Sequence, residues 1–435
     1  MKKKEILDLV HKYADEKLNN KVFIPGVSPV PASGAVLYPE DIAEVADTLL
    51  EFWYTDWKKC AEFKRRLCAV TGKKHCVLVN SGSSASLIAQ TAVYNRYPGK
   101  YVITTALGFP TTVYPIWQNN RVPIFIDINP KTLSPNIEQY NKEMYESKKV
   151  KISNQIFAHT LGFPFDEPQF DTTNGFIVDS CDALGARIVY DSMTYNVGCF
   201  ADAMTLSFFP AHHITTGEGG AILTNDEELA RDMEKRVNWS RDCDCLPGQS
   251  NTCGHRFDIE NLGIKDMPEG WDHKYTFTML GYNLKMTEFQ AALGMSQITH
   301  LDDFVKARRN NFFRLFVALY GVEDVEFFDA IEVPIWSQPS PFGFPIIVKK
   351  TAPFKAQELI AYLEKNKIAT RRFFGGNLTR QPFIKDLPYL ALDLSGTNYI
   401  MENGFWLGTW PGLTKEHLDY VIEIFSYFFK EKGLK

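Results

Sequence analysis

The chain has 435 residues, of which 45% are hydrophobic and 23% charged, a globular balance that excludes a disordered, collagen-like or coiled-coil chain. A chain of this length can bury a sizeable core and is long enough for two domains. The formal net charge is -5, and a negative charge disfavours binding to a phosphate backbone. We therefore expect a folded protein that does not bind nucleic acid.

The N-terminal segment predicts an amphipathic helix. Its first residues are basic, but Glu5, Asp8 and His11 interrupt what would be the apolar core of a signal peptide. No apolar run approaches the roughly 18 residues that a membrane span needs. We expect a cytoplasmic protein whose residues 1–38 form a helix and an arm.

From Pro39 to about residue 230, helical patterns alternate with short apolar runs. This alternation predicts an α/β fold with a mostly parallel central sheet that is covered by helices on both faces. Ligands of such sheets bind beyond the carboxyl ends of the strands. The predicted strands are 75–80, 100–105, 122–128, 154–160 and 175–180.

A turn-rich stretch at about 238–275 has no clear period and predicts a long loop, a kind of segment that is usually functional or disordered. A long helical segment follows it, and then mixed strands and helices continue to a C-terminal helix. We predict a large domain over 39–300, which includes this loop, and a smaller α+β domain over 301–435.

The segment Asn80–Ser86 lies between a predicted strand and a helical run. Small residues at such a turn let backbone N–H groups approach an anion, and the helix N-terminus adds a partial positive charge. The segment therefore predicts a phosphate site, with a serine-rich helix cap as the alternative. It is neither a GxGxxG fingerprint nor a P-loop, which disfavours a nucleotide dehydrogenase or an NTPase.

Two further segments carry groups suited to chemistry. Asp179 ends a predicted core strand, where a carboxylate can keep a pyridine nitrogen protonated through a charge-assisted hydrogen bond. His212 and His213 come directly before a Thr-Thr-Gly-Glu-Gly-Gly turn. A lone histidine is more often structural, but this adjacent pair favours a functional role.

In this order, the three segments resemble the sugar aminotransferase family of fold-type I pyridoxal-phosphate enzymes. Further matches over residues 75–290 are Phe109–Thr112, Ile126–Pro130, Ala158–Gly162 and Gly281–Met286. The resemblance implies the aspartate aminotransferase-like fold and a homodimer with a shared site. It also implies a set of coenzyme contacts: the phosphate on Gly82, Ser83, Ser207 and the neighbouring subunit's Asn283, the ring against Phe109, and its nitrogen on Asp179.

The sequence departs from this family at the residue that would bind the coenzyme covalently. His212 stands where the family has its Schiff-base lysine, and an imidazole cannot form that imine. The resemblance then implies free pyridoxamine phosphate (PMP), with His212 taking a proton from its methylene group. Asp182, Phe209 and Phe344 also stand where transaminating relatives carry other residues.

The cysteines provide an independent signal. Cys243, Cys245 and Cys253 lie within eleven residues of the predicted loop, and Cys181 precedes Asp182. Four thiolates are the ligand count of a [2Fe-2S] cluster. A four-thiolate zinc site, which usually shows CxxC pairs that are absent here, and buried free thiols are the alternatives. Cys199, on the far side of the predicted hairpin at 189–198, is the rival fourth ligand.

The histidine replacement and the cysteine spacing together resemble the PMP- and iron-sulfur-dependent sugar 3-dehydrases. This resemblance implies a nucleotide-linked 4-keto-6-deoxyhexose as substrate, such as CDP-4-keto-6-deoxy-D-glucose, and deoxygenation at C3 in deoxysugar biosynthesis for lipopolysaccharide O-antigens. It implies a flavin and iron-sulfur NAD(P)H-dependent reductase as electron donor. Two alternative functions stay open for this chain: a cluster-free PMP-dependent 3-dehydratase, and a non-catalytic relative of the family. Arg371, Arg372 and Arg380 are candidates for a nucleotide pyrophosphate, with solvated surface as the alternative.

Overall fold

The structure, a computed structural model, describes residues 2–18, 22–146, 151–243, 245, 248–258, 266–320 and 326–434. The helices of these ranges are α1 (Lys3–Leu18), α2 (Pro39–Leu49), α3 (Lys58–Thr71), α4 (Gly82–Arg96), α5 (Pro110–Gln118), α6 (Ile137–Glu146), α7 (Glu227–Val237), α8 (Glu288–Gln297), α9 (Leu301–Tyr320), α10 (Ala356–Lys365), α11 (Ser395–Asn403) and α12 (Lys415–Glu431). None of these helices is both long and apolar enough to span a bilayer.

The strands form one large sheet and two small ones. They are β1 (His75–Val79), β2 (Tyr101–Thr105), β3 (Val122–Ile126), β4 (Ile152–Ala158), β5 (Phe176–Asp179), β6 (Arg187–Tyr190), β7 (Met193–Asn196), β8 (Ala203–Ser207), β9 (Gly220–Thr224), β10 (Phe328–Asp329), β11 (Ser337–Gln338), β12 (Gly343–Val348), β13 (Leu390–Ala391) and β14 (Gly404–Gly408).

The large sheet has eight strands in the order β1-β9-β8-β5-β4-β2-β3-β13. Its neighbours are parallel except around β9, which runs antiparallel to β1 and β8. The predicted mostly parallel α/β fold is confirmed. The five predicted strands are β1 to β5, each with ends within two residues of the prediction. Their almost continuous burial is typical of parallel strands covered on both faces.

The C-terminal part has its own small sheet and core. Strands β10, β12 and β14 form an antiparallel sheet, which shares a hydrophobic core with α9, α10 and α12. The N-terminal arm joins this part, because the Val30 N–H donates to the Lys367 carbonyl at 2.8 Å, whereas α1 packs on α2. The predicted domain boundary near residue 300 falls at the start of α9. The division of the chain into 1–38, 39–300 and 301–435 stays a prediction.

The long predicted loop follows α7. In its described part, 238–243, 245, 248–258 and 266–275, the only helical segment is a 3-10 turn at His273–Tyr275. The two ends of the loop are tied together by isolated bridges between Asn238 and Asn283 and between Arg241 and Phe277. The loop is therefore anchored at its base.

Candidate active site

A cavity of about 480 Å³ lies at the carboxyl edge of the large sheet and is closed from above by the C-terminal part. The ends of β1, β5 and β8 reach it because parallel strands end at the same edge. The structure brings eight of the predicted residues together in its wall: Gly82, Ser83, Phe109, Asp179, Cys181, Asp182, Ser207 and His212.

The predicted phosphate turn is the first turn of α4. Ser81 is the N-cap, and its hydroxyl accepts the Ser84 N–H at 3.1 Å. A Cβ atom at Gly82 would lie 2.5 Å from Cβ of Ser207, so only glycine allows the turn to pack against the end of β8. Backbone N–H groups at the start of this helix therefore face the cavity without a side chain in the way, which suits an anion.

Asp179, at the end of β5, is held in one orientation by two hydrogen bonds. Its Oδ2 accepts from the Thr112 hydroxyl at 2.6 Å, and its Oδ1 accepts from the Cys181 N–H at 3.1 Å. The carboxylate is 8% exposed and lines the cavity. Thr112 lies in the first turn of α5, so the carboxylate and the neighbouring Phe109 are positioned together. The sequence analysis assigned no role to Thr112.

His212 and Asp182 form a pair on the opposite side of the cavity. Nδ1 of His212 lies 3.4 Å from Oδ1 of Asp182, and both side chains are about 15% exposed. At this distance Nδ1 makes no hydrogen bond, and it has no other hydrogen-bond partner among the described residues; the contact places a carboxylate beside the imidazole.

His213 has a structural environment. Its ring is buried and Nε2 lies 3.0 Å from the Ser340 carbonyl. Burial lowers the pKa of His213 well below its ordinary value, and the nearby Arg308 guanidinium adds to this effect. His213 is therefore neutral, and the geometry selects His212 as the histidine that faces the cavity.

Arg308 of α9 holds the main chain beneath His212. Its buried guanidinium donates to the carbonyls of His212 at 3.0 Å and Ala211 at 3.3 Å, and also to that of Phe342 at 3.3 Å. Burial lowers the pKa of Arg308 to about 9, while the Asp182 carboxylate opposes this shift. Arg308 is not among the residues predicted from the sequence. The available signal was an arginine on the apolar face of α9, in helical register with Phe304.

The outer wall of the cavity is largely aromatic. Phe209, Phe342, Phe374 and Trp406 line it. Phe344, which the resemblance placed here, is fully buried in the C-terminal core instead. Phe344 lies in β12, and Phe342, two residues before it, lines the cavity instead.

The three candidate arginines lie in different environments in the structure. Arg371 lines the cavity. Arg372 donates to the Gly404 carbonyl and to Gln357, and Arg380 pairs with Glu402. Arg371 is therefore the arginine that a ligand in the cavity can reach.

The cavity suits a pyridoxal-type coenzyme that is held without a covalent bond. It combines an anion turn, an oriented carboxylate at Asp179 and an exposed aromatic ring at Phe109. None of the residues that line it in the described ranges is a lysine. These features fit the coenzyme as the free amine.

Asn283 does not line this cavity. Its side-chain oxygen accepts from Lys285 Nζ at 2.6 Å, at the base of the long loop. A contact between Asn283 and coenzyme phosphate in the same chain is therefore not formed, and its contribution to a neighbouring subunit stays a prediction.

The structure does not gather the four predicted cluster ligands. Cys181 lies in the cavity wall, whereas Cys243 and Cys245 line a separate cleft beside α7 and β1. Cys253 is exposed, with Sγ 3.7 Å from Nε2 of His273. Cys199 lines neither cleft and lies beyond the β6–β7 hairpin. As placed, these four thiols do not fit one cluster, and ligation by Cys181 stays a prediction.

Known proteins are similar to this chain over most of its length. Residues 37–426 match the DegT/DnrJ/EryC1/StrS aminotransferase family, and the chain belongs to this family. It is 41% identical to the lipopolysaccharide biosynthesis protein RfbH of Salmonella typhimurium, over 98% of each chain. It is 38% identical to the dTDP-4-dehydro-2,6-dideoxy-D-glucose 3-dehydratase of Saccharopolyspora spinosa, over 98% of this chain and 92% of that one.

Solved structures show the same fold. The E coli GDP-4-keto-6-deoxy-D-mannose-3-dehydratase with bound hydrated PLP has a TM-score of 0.77 and 24% identity, and the match covers 91% of this chain and 98% of that one. The Helicobacter pylori aminotransferase PseC has the same TM-score at 21% identity, over 93% and 100% of the two chains. The fold-type I architecture predicted above is confirmed.

Replacing Gly82 with alanine tests the phosphate turn. We expect PMP binding to weaken at least about 10-fold, or about 1.4 kcal/mol, because the added methyl group would push the turn away from Ser207. Titration of PMP by fluorescence measures the affinity, and the melting temperature without coenzyme reports whether the variant is folded. An unchanged affinity in a folded Gly82→Ala variant would show that this turn does not bind the phosphate.

Replacing Arg308 with methionine tests the support beneath His212. We expect the free energy of unfolding in urea to fall by about 3 kcal/mol, because buried carbonyl groups lose their donor. Lys306→Met is the control: Lys306 is a basic residue exposed on the same helix, and we expect a change within about 0.5 kcal/mol. Equal effects of the two substitutions would contradict the role given to Arg308.

Proposed function

We propose that this protein is a PMP-dependent 3-dehydratase of a nucleotide-linked 4-keto-6-deoxyhexose, such as CDP-4-keto-6-deoxy-D-glucose. The observation that carries the proposal is His212 at the position of the family lysine, in a cavity whose described lining contains no lysine. The Saccharopolyspora spinosa relative is named a sugar 3-dehydratase. The Salmonella typhimurium relative is named for lipopolysaccharide biosynthesis, which supports a role in making O-antigen deoxysugars.

The chain's residues hold the coenzyme at three points. When bound, PMP supplies an amine that condenses with the C4 ketone and a ring that withdraws electrons. The first turn of α4 and Ser207 bind its phosphate. Asp179 accepts a hydrogen bond from the protonated ring nitrogen, and Phe109 stacks on the ring. These contacts take the place of the covalent anchor.

His212 moves the proton that the reaction requires. Its Nε2 takes a proton from the coenzyme methylene group and returns one to the departing C3 hydroxyl, so that the C3–O bond breaks and water leaves. Asp182 places a carboxylate beside the ring. Arg371 lies in the same wall and provides a positive charge for the pyrophosphate of the substrate.

Replacement of the C3 hydroxyl by hydrogen needs two electrons. Either of two electron donors gives a balanced reaction. If a flavin and iron-sulfur NAD(P)H-dependent reductase supplies them, two protons are taken up, one water leaves and the coenzyme stays PMP. If the coenzyme supplies them, each product is accompanied by one pyridoxal phosphate and one ammonia. The separate positions of Cys181 and the loop cysteines favour the second source, which is the cluster-free alternative.

Against this stands the spacing of Cys243, Cys245 and Cys253 within eleven residues of one loop, and on that spacing we propose the first source. Cys243, Cys245 and Cys253 lie in one anchored loop and would hold a [2Fe-2S] cluster, with Cys181 as the predicted fourth ligand. A cluster suits a reductase because it passes electrons singly. Since Asn283, at the base of this loop, is remote from its own cavity, the proposal includes a homodimer in which Asn283 serves the partner's site.

A product assay tests the dehydratase function. The protein is incubated with PMP and CDP-4-keto-6-deoxy-D-glucose, with and without dithionite and a mediator, and mass spectrometry follows the loss of one oxygen atom. We expect His212→Asn to slow this loss by about 10²- to 10⁴-fold, because no base remains for the methylene proton. His11→Asn, on the exposed face of α1, is the control. No product from wild type, or an unaffected His212→Asn, would contradict the proposal.

Iron content separates the two electron sources. We expect protein purified without oxygen to hold about two irons and two acid-labile sulfides per chain, and product formation to require dithionite without release of pyridoxal phosphate. Protein free of iron that releases one pyridoxal phosphate per product would establish the cluster-free reaction instead.

A further inference from the structure

We propose that Gln90 and Thr112 are positioning residues for the coenzyme ring: Gln90 holds Thr112 in place, and Thr112 orients the Asp179 carboxylate toward the ring nitrogen. This inference rests on the coenzyme proposed above. It adds a buried chain of hydrogen bonds that begins outside the cavity. Gln90 does not line the cavity, so its effect on the coenzyme passes through Thr112.

The Asp179 carboxylate receives one donor on each oxygen. The Thr112 hydroxyl donates to Oδ2 at 2.6 Å, and the Cys181 N–H donates to Oδ1 at 3.1 Å. A carboxylate oxygen accepts two hydrogen bonds, so each oxygen keeps a lone pair for a further donor. The Cys181 bond lies within the turn that follows β5, whereas Thr112 belongs to α5. Thr112 is therefore the contact that fixes the carboxylate relative to another element.

The main chain of Thr112 is held in turn from α4. Nε2 of Gln90 donates to the Thr112 carbonyl at 2.8 Å, and Oε1 of Gln90 accepts from the Tyr94 hydroxyl at 2.6 Å. Because a carbonyl can only accept, the contact with Thr112 determines which end of the amide faces α5. Burial raises the pKa of Tyr94 well above its ordinary value, so this hydroxyl keeps its proton and stays a donor.

The surroundings of Gln90 explain why an amide at this place is notable. Ile88 and Ala89 of α4 and Val113 and Ile116 of α5 belong to one hydrophobic core, and Gln90 is fully buried on the same helix pair. A buried amide costs free energy unless it is hydrogen-bonded, and an apolar side chain would fill this space without that cost. The contact with Thr112, rather than packing, accounts for a glutamine here.

Helix α4 thereby connects the places where the coenzyme is held. Its first turn contains Gly82 and is the phosphate turn, and Gln90 lies eight residues further on, about 12 Å along the helix axis. Phe109 is the N-cap of α5, and its carbonyl accepts the Thr112 N–H at 3.2 Å. The phosphate turn, the stacking ring and the carboxylate contact thus belong to one packed helix pair. Without a covalent bond to lysine, this pair sets the position of the ring.

Variants of the full-length protein, titrated with PMP by fluorescence, test the inference. We expect Thr112→Val to weaken PMP binding at least about 10-fold, because a hydrogen bond to a charged group is lost. Thr112→Ser retains the hydroxyl and should bind PMP within about threefold of wild type. Gln90→Met should weaken binding by about 3- to 10-fold.

Gln155→Met is the matched control for Gln90→Met. Gln155 is also a buried glutamine, its amide donates to the Asp171 carbonyl, and it does not line the cavity. We expect its PMP affinity to stay within about twofold of wild type. The melting temperature without coenzyme shows which variants are folded.

A second measurement reports on the ring nitrogen itself. The 15N NMR resonance of bound PMP, labelled at the ring nitrogen, shows whether that nitrogen carries a proton. We expect a protonated nitrogen in wild type, Thr112→Ser and Gln155→Met. In Thr112→Val the resonance should move toward that of the unprotonated ring, because an Asp179 oxygen without its donor competes for the ring proton. Gln90→Met should move it in the same direction by a smaller amount.

The outcomes distinguish this inference from the coenzyme proposal. A folded Thr112→Val variant with the wild-type affinity and nitrogen resonance would overturn the role of Thr112. Gln90→Met that matches Gln155→Met in both measurements would overturn the role of Gln90. If Thr112→Val does not fold, Gln90→Met decides, since it leaves every side chain of the cavity wall unchanged. Wild-type protein that binds no PMP would instead overturn the coenzyme proposal itself.

Discussion

A buried arginine beneath His212, the proposed base, is the interaction on which the geometry of the cavity depends. Arg308 comes from α9, beyond the central sheet, and its guanidinium binds the carbonyl of His212 and that of Phe342. It thereby joins the turn after β8 to the wall contributed by the C-terminal part. A guanidinium without solvent is costly unless it is paired, and the carbonyl groups and the Asp182 carboxylate supply its partners. The guanidinium of Arg308 thus supports the main chain of His212 without lining the cavity itself.

The parallel sheet positions the residues on the other side of the cavity from the C-terminal part. Its strands end at one edge, so Asp179 after β5 and Ser207 after β8 lie next to the first turn of α4. Gly82 lets this turn pack directly on Ser207. Under the proposed function, a coenzyme at this edge would meet an anion site and a carboxylate that are fixed by packing and hydrogen bonds, in place of a covalent bond to lysine.

The long loop lies away from this edge of the sheet. The loop is tied at its base by bridges to the segment that carries Asn283. Cys243 and Cys245 line a cleft separate from the cavity, and Cys253 is exposed. The chain thus has a cavity between its two parts and, apart from it, a loop with three cysteines beside α7. Their separation is why the origin of the two electrons, and not the position of the base, is the question that experiment must settle.

Local pattern determined the five strands β1 to β5, the phosphate turn, Asp179 and the replacement of lysine by His212, since each depends on neighbours within a few residues. Tertiary structure decided the roles of Arg308 and Thr112, the choice of His212 over His213, and the place of Phe342 in the wall, because each depends on contacts between segments distant in the chain. The cysteine spacing likewise predicted four ligands but could not predict whether their thiols lie together. Spacing along a chain does not determine distances between segments of the fold. Whether a side chain faces a cavity or a core is settled only when the elements pack.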